Sequence, residues 1–590
     1  MHGEFANALP NSTRSLLLRR VSVLLLASFL FALIPQSIMG QTAETNGSGR
    51  ANADIENGIQ LFRNHDAAGA KLKFSAAVKE NPHSADALTW RGIAENQLKE
   101  YSEAVRDFEA ALHINADEMS AHYNLALSLI RLQKADEAIE QLRIVTSAHP
   151  GVVEPEYNLA ILLESKNATA DAVEHLKAAY ETQPGDTGVE QHLLIDLLAL
   201  GRADEAQPIL ERFRSSAPVE LQEQVGTALI EARQFPQAIF LLEDAQSENQ
   251  AGSKLNLLLA RAYIGAQQYT KAIALTQPSE TTDRTGESAY LLGLAYSGAG
   301  TMPEAKSAFA QAVLANPRNG AAQYHLGMIQ SADPQQQEEA IHRLRDAVRL
   351  EPANVVYTVA LSRALLQQDH PEDAKILLQR VHPADNEAAE RDLLLGIAQI
   401  STSGVNAATP ILERAVAEDP SLPLSQNILG FCYFYQGDYA RAAQAYQKAS
   451  DMRPDVKIFA HDAAIAFERS NNSDQALIDA MRAATLPSAG GEDHALVGKL
   501  LAKAGRKDDA IRELKQAAAM SPDMDEPYYL LAHTYMQMGD MAQAMQWNAK
   551  LTELKQKHDR AYAARKNSTS VTSSTLLKGA PMNSSETDAP

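Results

Sequence analysis

The sequence predicts an all-α protein, an α-solenoid of tandem helix-turn-helix repeats, and three observations lead to that prediction. A small residue recurs along most of the chain at intervals that are mostly 34 residues long. Within one interval, apolar residues follow the spacing of a helix, as at Leu125, Leu129 and Leu132. No stretch of useful length alternates as a half-buried strand does. The recurring residue is always alanine: Ala70, Ala104, Ala138, Ala172, Ala206, Ala238, Ala272, Ala305, Ala340, Ala374, Ala408, Ala442, Ala476, Ala510 and Ala544.

Helix packing explains which residues occur at two further positions of the repeat. If the recurring alanine is position 20, position 8 is also small in nearly every unit, as at Gly92 and Gly430, and Leu194 is the exception. A side chain larger than a methyl group at either position would hold the two helices of a repeat apart and expose their apolar stripes. Position 32 is often proline, as at Pro454, which ends the second helix because proline has no N–H to donate.

The clearest unit runs from Pro423 to Val456 and carries most of these residues at once. Positions 7, 8, 11, 15, 17, 20, 24, 27 and 32 are Leu429, Gly430, Tyr433, Gly437, Tyr439, Ala442, Tyr446, Ala449 and Pro454. This pattern resembles the tetratricopeptide repeat (TPR), in which two antiparallel helices fill one unit of 34 residues. The resemblance implies a right-handed superhelix whose concave groove is lined by the first helices, at positions 2, 5, 9 and 12.

Residues 1–40 have the layout of a secretory signal peptide. Arg19 and Arg20 precede an uncharged apolar run, VSVLLLASFLFALI, and a small-residue site follows. The run is shorter than the roughly 18 to 20 residues that a membrane-spanning helix needs. The sequence therefore predicts an extracytoplasmic protein, periplasmic or secreted, with no stable membrane span after signal cleavage; an uncleaved N-terminal signal anchor is the alternative. Residues 41–50 are polar and predict a flexible lead-in.

The spacing of the repeats and the local composition divide the remaining chain into segments. Residues 51–550 hold about fifteen repeats. An early proline with an irregular interval predicts a break in the array near residues 276–286, and a glycine-bearing junction predicts another near 486–493. Residues 551–566 predict a polar helix that caps the open end of the array. The Ser/Thr-rich residues 567–590 lack apolar periodicity and predict a disordered tail.

Composition and missing motifs narrow the classes of function. The formal charge of -21 disfavours nucleic acid as a partner, because phosphate binding needs clustered Lys and Arg. Cys432, the single cysteine, allows no intrachain disulfide and no cysteine-based metal site, and we predict that it is buried and inert. The sequence contains no H-E-x-x-H motif, no G-x-S-x-G elbow and no G-x-x-x-x-G-K-[ST] loop. We therefore expect a protein that is not an enzyme and uses no cofactor and no metal.

The TPR resemblance supplies candidate ligand contacts at the groove positions. These are Tyr123, Leu127, Tyr157, Ile161, Tyr290, Tyr324, Phe431 and Phe434. Tyrosines one repeat apart could hold an extended peptide, since each offers a flat contact area and a hydroxyl group. In the alternative, the position-5 tyrosines pack on neighbouring helices. Asn124 and Asn158 resemble one element of the carboxylate clamp of cochaperone TPR domains, but its other residues are missing, so chaperone-tail capture is not expected.

Two functions fit an exported array without catalytic motifs. The first is a scaffold for protein-protein interaction that binds extended or helical peptide segments of other proteins in its concave groove. The alternative is an accessory subunit of polysaccharide synthesis or export that contacts glycan or a glycosyltransferase, since aromatic groove residues also stack on sugars. The predicted partners are thus other proteins or the machinery of glycan assembly.

Overall fold

The computed structural model describes residues 49–248, 253–277, 285–381, 385–562 and 573–577. In these ranges the chain folds into helices that follow one another in tandem, and no strand occurs among them. Thirty of the described helices, α1 to α30, alternate as the first and second helices of fifteen repeats, and a short helix, α31, comes last. The prediction of an all-α solenoid of tandem helix pairs is confirmed. The predicted signal peptide lies outside the described residues.

The helices pair in sequence order. In repeats 1 to 8 they are α1 Gly49–Arg63, α2 Ala67–Glu80, α3 Ala85–Gln97, α4 Tyr101–Ile114, α5 Met119–Arg131, α6 Ala135–Ala148, α7 Val153–Ser165, α8 Thr169–Thr182, α9 Thr187–Ala199, α10 Ala203–Ser216, α11 Val219–Glu231, α12 Phe235–Glu248, α13 Ser253–Gly265, α14 Tyr269–Thr276, α15 Glu287–Gly298 and α16 Met302–Ala315. In repeats 9 to 15 they are α17 Gly320–Ser331, α18 Gln337–Leu350, α19 Val355–Gln367, α20 Pro371–Arg380, α21 Asp385–Ser403, α22 Val405–Glu418, α23 Pro423–Tyr435, α24 Tyr439–Met452, α25 Lys457–Arg469, α26 Ser473–Thr485, α27 Gly491–Lys503, α28 Lys507–Met520, α29 Asp525–Met538 and α30 Met541–Tyr562. The short helix α31 is Ser573–Leu577.

The helices group into two compact units, and each has its own apolar core. The first unit holds the described residues through 277 together with Glu287–Ala305, and the second holds the residues from Lys306 onward. Leu142 and Leu176 lie in the core of the first unit, and Leu412 and Tyr446 lie in that of the second. The main division falls between Ala305 and Lys306, within α16, whereas the sequence predicts a break near 276–286, of which residues 278–284 lie outside the described part of the chain.

Most first helices end at a residue with a left-handed backbone, which reverses the chain toward the second helix. Glycine takes this conformation without steric cost and occupies the turn in Gly201, Gly300, Gly437, Gly505 and Gly539. Other repeats place a larger residue there: His65, Lys99, Gln133, Asn167, Arg233, Gln267, Asp369 and Asn471 all have positive φ. Asparagine and aspartate tolerate this conformation, whereas in the repeats with Lys, Gln or Arg the tandem architecture imposes it on side chains that disfavour it.

We expect Lys99→Gly to stabilise the protein. Lys99 has a φ of 66° and an exposed side chain, so the substitution removes left-handed strain without emptying a packed site. The strain of roughly 1–2 kcal/mol is offset in part by the greater freedom of glycine in the unfolded chain, which leaves a gain of about 0.5–1 kcal/mol. The urea midpoint measures it. Asn167→Gly is the control with a smaller expected gain, because asparagine tolerates this conformation, and a lower midpoint for Lys99→Gly would contradict the strain argument.

Position 8 is small because a large side chain from position 24 lies directly against it. A Cβ built on Gly92 would come within 2.7 Å of the Phe108 ring, and one on Gly430 within 2.9 Å of the Tyr446 ring. The same contact pairs a glycine with a leucine in repeats 6, 11 and 14, as Gly226 with Leu242, Gly396 with Leu412 and Gly498 with Leu514. The first helix therefore touches the second through bare backbone at this point, as the sequence predicts.

The markers of the clearest repeat lie where the packing argument places them. Ala442 and Ala449 are completely buried on α24, and Pro454 follows the end of that helix. Cys432, on α23, is buried, and burial raises the pKa of its thiol to about 12. A thiol held in that state is protonated at neutral pH and unreactive, as the sequence predicts.

Buried charges cross the second predicted break, near 486–493. Asp493, at the start of α27, has one carboxylate oxygen 2.8 Å from His461 Nδ1 and the other 3.2 Å from Lys457 Nζ. His461 and Lys457 both belong to α25, the first helix on the other side of the junction. The loop that the sequence marks as loose is therefore bridged by an ion-pair cluster between two first helices.

The C-terminal end differs in part from the prediction. Helix α30 is continuous over Met541–Tyr562, so the described part of the predicted cap, 551–566, extends the last second helix. Within the tail predicted to be disordered, 567–590, the structure describes Ser573–Leu577 as a short helix packed against the second unit. A leucine of this segment is buried, and so short a segment gives no helical period that the sequence could reveal. The rest of the tail lies outside the described residues.

Candidate peptide-binding surface

The predicted groove residues of the first unit do not share one environment. Tyr123, on α5, is only 1% exposed, and its hydroxyl accepts a hydrogen bond of 3.1 Å from Asn158 Nδ2 on α7. Ile161 is buried, whereas Leu127 and Tyr157 are partly exposed on the first-helix surface. The packing alternative thus describes Tyr123, and Leu127 and Tyr157 are the predicted residues that the surface leaves open to a ligand.

A buried acidic cluster lies beside Tyr157. The Tyr157 ring meets the His192 ring edge-on at 5.5 Å, and His192 Nδ1 lies 2.9 Å from Glu164 Oε1. Burial, with the neighbouring carboxyl of Glu164, raises the pKa of Asp196, so this pair retains a proton at neutral pH. His192 and Asp196 belong to α9 and Glu164 to α7, so the cluster joins two adjacent first helices by its own hydrogen bonds.

Tyr290 and Tyr324, predicted as a pair one repeat apart, belong to different compact units. Both are partly exposed. Tyr324 stacks on Tyr357 of the next first helix, with ring centroids 4.9 Å apart and an interplanar angle of 23°. The Tyr324 ring therefore packs against the neighbouring repeat while keeping some surface.

Phe431 and Phe434 contribute to the core of the second unit. They are 3% and 7% exposed, and both rings contact Tyr435, at centroid distances of 4.5 Å and 5.9 Å. Phe434 also meets Tyr439 of α24 edge-on at 5.1 Å. Neither phenylalanine presents a free ring face. Their predicted contact with a ligand stays a prediction, because the structure places both rings among packed side chains.

A surface that the sequence did not predict lies on α19 and α21, where the C-terminal segment α31 packs. We call it the tail seat and define it by Leu366, Asp369 and Ile397. Ser573 Oγ lies 3.0 Å from both the Leu366 carbonyl oxygen and Asp369 Oδ1. The Ser574 N–H donates to Asp369 Oδ1 at 3.0 Å, and its hydroxyl lies 3.3 Å from Asp369 Oδ2. One carboxylate in a turn thus receives the donors of two consecutive serines.

The apolar half of the tail seat is completely buried. Leu576 is 0% exposed and belongs to the core cluster of the second unit. Leu366, at position 12 of α19, and Ile397, at position 9 of α21, are also 0% exposed. At these two positions of other first helices, Leu127 is partly exposed, whereas Ile93, Ile161, Leu198, Ile230 and Ile465 are buried at 5–9% exposed. In the two repeats that hold the segment, Leu366 and Ile397 are therefore fully closed to solvent, while Ile400 of α21 stays partly exposed.

Two other kinds of site, a metal centre and a membrane span, depend on features of the described residues. No group of three or more His, Cys, Asp or Glu side chains among them is arranged to hold a metal ion. None of the described helices is both long enough and apolar enough to span a bilayer.

Comparison with known families covers nearly the whole described chain. Models described as tetratricopeptide repeat match residues 55–118, 123–187, 195–212, 229–293, 290–332, 433–492 and 501–567. A model described as the C-terminal ARM domain of tetratricopeptide repeat protein 21 matches residues 315–460. The chain belongs to the tetratricopeptide-repeat family. The resemblance of the sequence to this family is confirmed, and the thirty tandem helices fit about fifteen repeats.

Solved structures similar to this TPR chain include three of different lengths. A chain in a structure of Naa15/Naa10 bound to HypK-THB is 16% identical with a TM-score of 0.35, and the match covers 87% of this chain and 79% of that one. A chain of the APC/C hetero-tetramer Cut9-Hcn1 is 13% identical with a TM-score of 0.29, covering 82% and 96%. MamA 41-end from Desulfovibrio magneticus RS-1 is 20% identical with a TM-score of 0.26, covering 29% and 94%. A search of curated proteins by sequence gave no match.

The two asparagines that resemble part of a TPR carboxylate clamp are engaged within the fold. Asn124 Nδ2 donates to the Ser120 carbonyl at 2.8 Å, and the Asn124 carbonyl accepts from Ser128. Asn158 donates to the Tyr123 hydroxyl. Both amides therefore stabilise contacts within or between first helices in this TPR array.

Proposed function

We propose that this protein is an exported scaffold that holds short segments of other proteins on the surface of its first helices. The TPR repeats support a role in protein-protein interaction, and a TPR solenoid is typically a non-catalytic scaffold. The observation that carries the finer proposal is the tail seat, where Ser573–Leu577 lies on α19 and α21. Export is proposed from the signal-peptide layout of residues 1–40.

The tail seat combines the two interactions that peptide recognition needs. Burial of one leucine side chain contributes about 1.5–3 kcal/mol, which supplies affinity. Hydrogen bonds to the Asp369 carboxylate supply orientation, because they require donors at two defined positions of the bound segment. Other first helices present part of the same chemistry, since Leu127 and Tyr157 keep apolar surface exposed. A partner segment that brings its own leucine would bury surface there in the same way.

The contacts favour a peptide over a glycan as ligand. Sugar stacking needs the open face of an aromatic ring, and Tyr123, Phe431 and Phe434 are buried. The accessory role in polysaccharide synthesis or export therefore loses part of the reasoning that supported it.

Site-specific photocrosslinking tests this function. A photoreactive residue at Leu127, on the first-helix surface, is expected to capture protein segments in native cell extracts. The matched control at Leu72, which is 74% exposed on the second helix α2 of the same unit, is expected to capture few of them. Equal capture at both positions would contradict the assignment of the binding surface. The same preparation tests export, since signal cleavage removes about 40 residues from the N-terminus, and mass spectrometry reads that end.

A further inference from the structure

We propose that the tail seat is the binding site for a partner helix turn with the pattern Ser-Ser-x-Leu, and that the chain's own C-terminal segment occupies it until the partner displaces it. The inference rests on the proposed function, that first helices bind peptide segments. It adds the chemistry of the partner and a competition within the chain.

The carboxylate of Asp369 gives the tail seat its preference for hydroxyl residues. Among the described turns with a left-handed residue at this repeat position, the others offer glycine, histidine, lysine, arginine, glutamine or asparagine. Of all these turn residues, Asp369 alone can accept hydrogen bonds through two anionic oxygens. Its φ of 55° places it in the left-handed turn that follows α19. A segment with two consecutive Ser or Thr residues matches this acceptor, because its hydroxyls and a backbone N–H supply the donors.

Leucine is the second determinant, and its spacing follows from the segment. Ser573 contacts Asp369, and Leu576, three residues later, lies on the same side of a helical turn and is buried. Leu366 and Ile397 belong to the same buried apolar cluster as Leu576 and lie on the two first helices against which α31 packs. A partner that replaced this leucine with a charged residue would leave that charge buried without a partner, which is strongly unfavourable.

The tether makes the chain's own segment a strong competitor. Ten residues, 563–572, connect the end of α30 with α31, so the segment is tethered to the chain that carries its site. A short tether gives an effective local concentration on the order of millimolar. A free peptide of the same sequence must compete against that concentration, so its apparent affinity for the intact chain is reduced.

The experiment uses the full-length chain and a fluorescent peptide of residues 569–580 as the probe. Leu576→Asp in the protein releases the tail, and Met582→Asp places the same charge in the tail beyond the described segment as the matched control. We expect Leu576→Asp to bind the peptide about tenfold or more tightly than the wild type and the control do. Adding Asp369→Asn to Leu576→Asp should abolish that gain with an unchanged melting temperature, because asparagine also tolerates the left-handed turn.

The outcomes separate the two proposals. Equal affinity of wild type and Leu576→Asp would overturn the competition and leave the binding site standing. No binding to any variant would overturn the site, whereas the first-helix function is judged separately by the crosslinks from Leu127 in the other unit. A wild-type dimer that Leu576→Asp converts to a monomer would also overturn the competition within one chain, since the tail would then come from a second copy.

Discussion

Gly430→Ala is expected to destabilise the second unit by about 1–3 kcal/mol, although it adds only one methyl group. The new Cβ would lie 2.9–3.0 Å from three carbons of the Tyr446 ring, which is at the limit of the closest approach that real Cβ atoms show. Tyr446 is completely buried, so its ring cannot turn away into solvent. The two helices of repeat 12 must therefore separate, and the urea midpoint of the second unit should fall.

The control replaces the large partner. Repeats 3 and 4 combine alanine at position 8 with leucine at position 24, at Ala126 with Leu142 and Ala160 with Leu176. Gly430→Ala with Tyr446→Leu reproduces that combination. We expect the double variant to be more stable than the sum of the two single effects by about 0.5–3 kcal/mol, the usual range for residues in contact. If the stability effects of the two substitutions were strictly additive, the size of the residue at position 24 would not affect which residue position 8 tolerates.

This contact shows why the fold could be predicted from the sequence. Nearly every repeat has a small residue on its first helix and a large one facing it on the second. Because about fifteen copies show this pattern, they all support the same prediction of a tandem helix-pair fold. Ala442, Ala449 and Gly430 lie where the pattern places them, and Cys432 is buried as its position on an apolar face indicates.

The binding surface could be predicted only in part. The position in the repeat determines on which face of the helix a side chain lies. Its solvent exposure, however, depends on the neighbouring side chains that pack against it. Tyr123 is buried through its contact with Asn158, whereas Tyr157, at the same position of the next repeat, keeps exposed surface. The tail seat depends on residues 204 positions apart in the chain, Asp369 and Ser573, and no local pattern reports such a contact. The one available signal was a leucine pair in a mostly polar tail.

Asp493→Ala is expected to have the largest effect on stability, about 3–5 kcal/mol, because it leaves the buried His461 without its ion-pair partner, while Lys457 keeps Glu492 at 2.7 Å. Asp493 accepts from His461 Nδ1, from Lys457 Nζ and from the Gly490 backbone N–H at 2.7 Å. The aspartate side chain is completely buried and the histidine nearly so. The substitution should lower the urea midpoint of the second unit and expose the junction at 486–493 to proteolysis.

The pH dependence of stability identifies the cause. Burial by itself would raise the pKa of Asp493, but the hydrogen bonds from His461 and Gly490, with the charge of Lys457, lower it to about 2. A depressed carboxyl pKa contributes stability above its unfolded value of about 3.9, and that contribution is lost as the pH falls toward 2. Burial lowers the pKa of His461, and the hydrogen bond to Asp493 with the neighbouring acidic charges, among them Asp462, outweighs it, so the net shift is upward.

The raised pKa of His461 gives stability the opposite pH dependence. Its contribution is complete below the unfolded value of about 6.5 and is lost as the pH rises through the folded value. The cluster therefore stabilises the second unit most between about pH 4 and 6.5, and Asp493→Ala should flatten both limbs of that curve.

Asp455→Ala is the matched control for this curve. Arg453 also lowers the pKa of Asp455 to about 2, but that pair is exposed, so solvent screens it and little stability depends on it. Urea midpoints at pH 3, 5, 7 and 9 should therefore keep the wild-type profile in Asp455→Ala and lose it in Asp493→Ala. Parallel curves for wild type and Asp493→Ala would show that the buried cluster does not control the pH dependence, since removal of its central carboxylate would then leave both titrations unchanged.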